Sequence, residues 1–479
     1  MSNRALTKWI CGLAAAAALP AQSWAANVVV VNGDPAGVGF NDPTPATPVG
    51  GNPGTTRGQQ ALNVFQSAAD AWGQRLQSDQ TISVYATFEA LACTPTSATL
   101  GSAGTIYITR DDPAAPGGKG LTPATWYHAA LAEKLTKTDL ISTDTIPAPS
   151  LPYEIRARFN RNLGLPGCLD ANGGTGWYFG LDNRQPATGI DLKAVVLHEM
   201  GHGLGFSIAS TNSSTGARFQ GLPSVWEQFM YDASTGKTWL TMTDAERAAS
   251  ARNDPNLVWI GQQANNNVNS VLDRAVTLNA TGVSPISLSA ASFGAQGQVS
   301  QAPGQSLSVT VAAPNDGVGD PLDACEPFAP GSLAGQFALV NRGTCAFVLK
   351  AQNAQAAGAI GLLIANNVSG SLSPGGSDPS VTIPVFGMTM TDGAALRSAI
   401  GAGTLAGQIN ASAHIRAGTT AGYPRLYAPA AFASGSSVSH WDVSLTKSVL
   451  MEPFITPELT SSVKNPEDLS RGLLRDIGW

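Results

Sequence analysis

The chain has 479 residues, enough for about two to three domains of ordinary size. Hydrophobic residues make up 43% and charged residues only 13%; the net charge of −6 comes without any basic run, which excludes a nucleic-acid partner held through its phosphates. The 52 glycines and 31 prolines follow no repeat, so the composition fits a loop-rich globular protein and excludes a fibre.

In chain order, Arg4 and Lys8 precede a short apolar run over 10–19, and Ser23-Trp24-Ala25 has the small-x-small form of a cleavage site. This pattern predicts a signal peptide over 1–25 and a mature chain that is exported, extracellular or periplasmic. The run is too short to span a bilayer, no later segment is longer, and residues 476–479 form no anchor tail, so no membrane span is expected. An apolar strand is expected at 27–32, then a Gly/Pro/Thr-rich loop over 34–56. Leu62, Phe65, Ala69, Trp72 and Leu76 recur at helical spacing, and Ile82, Val84, Ala86 and Phe88 alternate as in a strand. A second helix is expected over 124–135, with His128 read as a structural or surface histidine. Over 154–160, Ile155, Ala157 and Phe159 face away from Arg156 and Arg158. That strand is either a rim strand that pairs with an extended substrate or a buried interior one.

A helix capped by Asp191 follows over 191–203, ended by Gly203 and Gly205. It carries His198-Glu199-Met200-Gly201-His202, the pattern H-E-x-x-H. Residues four apart share a helix face, so His198 and His202 can direct two imidazoles at one ion. Glu199, beside the first ligand, can take a proton from a water that the metal activates. Imidazole suits zinc, and a catalytic zinc wants a third protein ligand plus a water.

From about residue 279 Ser, Gly, Ala and Val dominate and charges thin out. A βαβ-like unit is expected there: strand 336–341, helix 347–357, strand 359–365. Charged and aromatic residues return near Tyr423. The chain closes on a predicted helix with Asn465 as cap, Pro466 in its first position, and Leu469, Leu473 and Ile477 on its apolar face.

The third ligand is not adjacent. A short motif H-E-x-x-H-x-x-G-x-x-H keeps its glycine at Gly205 but meets Ile208 where a histidine is needed. Only His128, His414 and His440 remain among five histidines, and Glu227, in Trp226-Glu227-Gln228-Phe229, is a carboxylate rival.

The run from His198 to Phe206 resembles the zinc helix of leishmanolysin-like metzincins, in which the third histidine follows a long insertion within a Ser-His-Trp context. The chain has Ser439-His440-Trp441-Asp442, then Leu450-Met451-Glu452-Pro453, which resembles that family's Met-turn, and an Asp-Ile-Gly-Trp end. Between them, 335–347, 353–359, 383–385 and 392–396 resemble the strands and helices of a protease-associated (PA) domain. The resemblance implies His198, His202 and His440 as ligands of one catalytic Zn2+, Glu199 as general base, and Met451 as a non-ligand floor of the site. Asp442 could orient His440 or lie exposed. Calcium is allowed but not indicated.

The fold class implied is α+β: a metzincin-like catalytic domain, with twisted sheet, zinc helix and split C-terminal subdomain, holding an inserted α/β PA domain. The expected division is signal peptide 1–25, catalytic domain 26–282, PA domain 283–415, and catalytic domain 416–479 with the third ligand and Met-turn. Four cysteines remain after signal removal. They allow three pairings, of which Cys93–Cys168 and Cys325–Cys345 keep each pair within one candidate domain. The implied activity is that of a secreted zinc metalloendopeptidase acting on protein or peptide substrates. The alternative is a secreted zinc-containing binding or adhesion protein that uses the PA domain for protein contacts.

Overall fold

In the computed structural model, residues 25–111, 120–146, 149–170, 175–186, 188–295, 299, 306–368, 371–376, 378–412, 422–445, 448–455 and 459–479 are described. The expected signal peptide, Ala25 apart, and His414 lie outside them.

The apolar run expected at 27–32 forms β1 (Val28–Asn32), which pairs in parallel with β2 (Ile82–Glu89). Between them lies α1 (Arg57–Gly73), started by Thr56, whose side chain accepts from Gln59 N; Val64, Phe65, Ala68 and Trp72 make its buried face. β3 (Gly101–Thr105) is followed by a short pair, β4 (Ile108–Arg110) and β5 (Trp126–His128), then α2 (Ala129–Thr136). The helix expected over 124–135 therefore starts later, because 126–128 is taken by cross-strand pairing with β4. β6 (Ile155–Asn160) completes a sheet of order β1-β2-β6-β3.

That order corrects the rim reading of 154–160. β6 is interior, parallel to β2 on one side and antiparallel to β3 on the other, and the edge strand is β3. Its Gly- and Ser-rich sequence, Gly-Ser-Ala-Gly-Thr, has no apolar alternation to reveal a strand.

α3 (Leu192–Gly203) packs against α1, β3 and β6. Asp191 caps it, accepting from Lys193 N and Ala194 N as expected. Gly201 in its middle is explained by packing: a Cβ there would lie 2.7 Å from Met451 Sδ, so a side chain would push the Met451 loop off the helix. Trp72 of α1 donates its indole N–H to Leu197 O at 3.0 Å, fixing the two helices together.

Residues 276–411 form a closed barrel. Its strands, in spatial order, are Val276–Ala280, Ile286–Ala290, Val385–Met388, Gly361–Ala365, Phe337–Asn341, Ser306–Ala312 and Thr404–Ala411, the last pairing back with the first. The four strands from Ser306 to Met388 are mutually parallel, and Phe347–Ala356 is a crossover helix among them. The βαβ unit read from sequence lies in this barrel. The first barrel strand, however, precedes residue 283, the expected boundary; Val276 and Leu278 point into the barrel core before the composition changes.

The cores divide in the same way. One apolar cluster joins residues from Ala26 to Leu272 with residues from Leu426 to Ile477. Two further clusters, from Val276 to Ile409, belong to the barrel. Disulfides link Cys93 to Cys168 and Cys325 to Cys345. Among the described residues no helix is long and apolar enough to cross a membrane.

The expected C-terminal helix is shorter than its sequence signals suggest. It spans Ser470–Ile477, and Asp468 accepts from Ser470 N, taking the capping role assigned to Asn465. Asn465 instead donates to Asn267 Oδ1 and Ser270 Oγ.

Candidate metal centre and cleft

α3 presents His198 and His202 on one face, and the loop after Val438 brings His440 to them across 238 positions of sequence. The three Nε2 atoms form a near-equilateral triangle: His198 to His202 is 3.1 Å, His202 to His440 is 3.1 Å, and His198 to His440 is 3.2 Å. Every Nδ1 faces a backbone carbonyl, Leu450 O at 2.7 Å, Phe206 O at 2.8 Å and Ser436 O at 2.8 Å respectively. A carbonyl only accepts, so each Nδ1 carries the proton and donates. In the neutral rings the three Nε2 atoms are then bare lone pairs, with no donor among them.

Burial disfavours charge on these rings. It pushes His198 to about 4 and, with His198 alongside, His440 to about 3; it holds His202 well below the usual imidazole range, helped by the two neighbouring imidazoles. Three converging neutral imidazoles are the donor set zinc takes. A tetrahedral ion bound at about 2.0–2.1 Å sets its nitrogen ligands about 3.3 Å apart, close to the observed edges. The residues fit the ion.

Glu199 lies in the same cleft, 7% exposed. Burial raises its carboxyl to about 8, against the Ala103 N–H that stabilises the anion. Met451 is fully buried beneath α3 against Gly201. Behind it, Asp468 accepts from Leu450 N at 2.8 Å, fixing the peptide whose carbonyl orients His198.

The remaining candidates go elsewhere. Glu227 is buried but bonded to Thr211, Ser224 and Arg218, with an Arg218 contact of 2.7 Å. His128 is 1% exposed, and its Nε2 meets Ser207 Oγ at 2.8 Å, a structural position. Asp442 neither orients His440, which uses Ser436 O, nor lies exposed. It is 2% exposed, accepts from Ser444 N, and burial raises its carboxyl against the opposing Ser444 hydrogen bond and Arg425 charge. In the barrel, Asp316, Asp323 and Glu326 bring carboxylate oxygens within 4.8 Å of one another, but Asp323 is already bonded to Cys325 N and Thr344 Oγ1.

The cleft around the histidines has a volume of about 690 Å³. It is lined by the start of β3 and the loop before it, and by Val195, Ile190, Leu169, Glu452 and Pro453. Sequence reasoning missed β3 and Glu452. Glu452 is fully buried, accepts from Val449 N, and burial pushes it up to about 8; its place beside Met451 was the one available signal. A second cavity, about 390 Å³, meets the first at Ala103, His202, Ser434 and Gly435.

Comparison with known proteins adds the identity of the barrel segment. Over 87 residues the chain is 40% identical to the minor extracellular protease Vpr of Bacillus subtilis, covering 18% of this chain and 10% of that protein. Over 119 residues it is 34% identical to the probable leucine aminopeptidase 2 of Aspergillus fumigatus, 24% of each chain. Among solved structures, a zinc aminopeptidase from Bacillus subtilis aligns at 27% identity over 31% of this chain and 34% of that one, with a TM-score of 0.21. The chain thus spans at most about a quarter of the curated relatives it matches. Residues 306–396 match the PA family model: the chain carries a PA domain in its barrel.

Proposed function

We propose that the protein is a secreted zinc metalloendopeptidase of the metzincin type, with the PA barrel inserted between the two halves of its catalytic part. The carrying observation is the triangle of three deprotonated Nε2 atoms beside the buried carboxyl of Glu199. His198, His202 and His440 would hold the ion. When bound, zinc supplies Lewis acidity, which acidifies water and polarises a carbonyl. Leu450 O, Phe206 O and Ser436 O keep the three rings in the donor tautomer and orientation. Glu199 takes the proton of the attacking water and returns it to the leaving amine. Its buried place in the cleft beside the three imidazoles supports that role. The exposed edge of β3 offers main-chain hydrogen bonds to an extended peptide. The two cavities adjoin at His202, and together they offer more room than one terminal residue needs, which supports cleavage within a chain. The two disulfides support export to an oxidising compartment.

The test is casein hydrolysis with and without chelator, beside two variants. Glu199→Gln retains zinc and loses at least about a thousandfold in kcat. His440→Ala loses zinc in elemental analysis. Full zinc occupancy in the His440 variant, or near-normal turnover in the Glu199 variant, refutes the assignment. Zinc bound with no hydrolysis by the wild type would favour the binding-protein alternative.

A further inference from the structure

The second cavity adjoins the zinc cleft at His202, and its wall holds no acidic or basic side chain. Beside His202 the lining is hydroxyl and amide side chains, chiefly Ser207, Thr211, Asn212, Ser213, Ser437 and Ser439, with no Asp, Glu, Lys or Arg. Ser437 and Ser439 are 3% and 8% exposed. Their oxygens accept from Ala433 N at 3.1 Å and Ile208 N at 3.2 Å. A hydroxyl also has a proton to donate, and among the described residues no acceptor takes either one. Two buried donors thus line the cavity without acceptors.

The wall is held in place before any ligand arrives. The hairpin of Thr211–Asn212 with Ala217–Arg218 is anchored on Glu227, which is inaccessible to solvent. Thr211 Oγ1 donates to one carboxylate oxygen at 2.7 Å and Arg218 pairs with the other. Arg247 Nε donates to Gly216 O at 2.7 Å from behind. A pre-ordered wall loses little entropy on binding.

We infer that this cavity is a specificity subsite for an uncharged, hydrogen-bond-accepting side chain, of the Asn or Gln type, on a peptide seated in the zinc cleft. The inference rests on the peptidase reading and names its substrate class. A carboxylate would enter a wall with no cation, and an ammonium a wall with no anion, each at a desolvation cost. A large apolar side chain would leave the two buried hydroxyl protons unsatisfied.

The test uses the full-length, zinc-loaded Glu199→Gln protein and fluorescent peptides that differ only by Gln, Leu, Glu or Lys at successive positions, read by anisotropy. At one position the Gln peptide binds about tenfold tighter than the other three. Adding Ser437→Ala brings that ratio near one. Adding Ser213→Leu, which breaks no hydrogen bond of the structure and intrudes on the cavity, weakens the Gln peptide about tenfold at that position only. Equal binding of all four peptides at every position, no binding by any, or a ratio that survives both variants overturns the subsite. Cleavage by the Glu199 protein is scored separately. Hydrolysis without the preference overturns the subsite alone; the preference without hydrolysis overturns the peptidase reading alone.

Discussion

At the residue scale, the site depends on what is left out as much as on what is present. Gly101, at the start of β3, has no side chain where a Cβ would lie 3.0 Å from Glu199 Cγ and 3.1 Å from its Oε1. A branched side chain there would crowd the carboxylate against its reacting position. We expect Gly101→Val to lower kcat at least about tenfold while zinc content stays at one ion per chain, measured by steady-state kinetics and elemental analysis. Asp468 shows the opposite case, a carboxylate that fixes the peptide to which His198 is bonded. Asp468→Ala frees the Leu450 peptide and should weaken zinc binding roughly 10–100-fold in a competition titration with a chromophoric chelator, with the overall fold retained.

At the element scale, α3 is legible in the sequence because cap, ligands and terminating glycine all fall within one local run. Asp191, His198, His202 and Gly205 act where their spacing puts them, and Gly205 adopts a φ of +119°, in the region that favours glycine. β3 was illegible for the converse reason. Five small residues gain strand geometry from pairing with β6, and nothing in their own sequence requires it. The helix at 124–135 started late because β4 claims 126–128, a non-local pairing that propensity does not register.

α2 carries a further consequence. Glu133, 1% exposed, accepts from Leu140 N and Ile141 N, and burial, with Glu154 and Asp139 nearby, raises its carboxyl to about 8. A folded-state pKa above the unfolded value means that its contribution is complete below about 4.5 and is lost as pH rises through about 8. The melting temperature should therefore fall as pH rises from about 5 to about 8. Glu133→Gln, which keeps the acceptor without the charge, should flatten that slope in a pH series of thermal melts.

At the scale of the whole molecule, two distant chain segments share one core and bring three histidines together. The cluster that holds Trp72, Met200 and Phe206 also holds Trp441, Leu450 and Met451, while the barrel keeps cores of its own. An inserted domain of this size is tolerated because closure entropy grows only logarithmically with loop length. A bound ion stabilises only the part that supplies its ligands. Chelation should therefore lower the unfolding temperature of the part containing residues 25–272 and 426–479 by several degrees, and leave a separate barrel transition unmoved in calorimetry.

By itself the sequence determined the local chemistry: H-E-x-x-H at helical spacing, the cap before it and the βαβ texture of the barrel. These follow from short-range rules of periodicity, capping and ligand type. The third ligand was reached only through resemblance, since His128, His414, His440 and Glu227 were all open on residue type alone. Tertiary structure decided the rest. It brought His440 Nε2 within 3.2 Å of both partners, engaged Glu227 with Arg218, and set β3 at the sheet edge over Glu199. Those outcomes depend on contacts between residues tens to hundreds of positions apart, which no local pattern encodes.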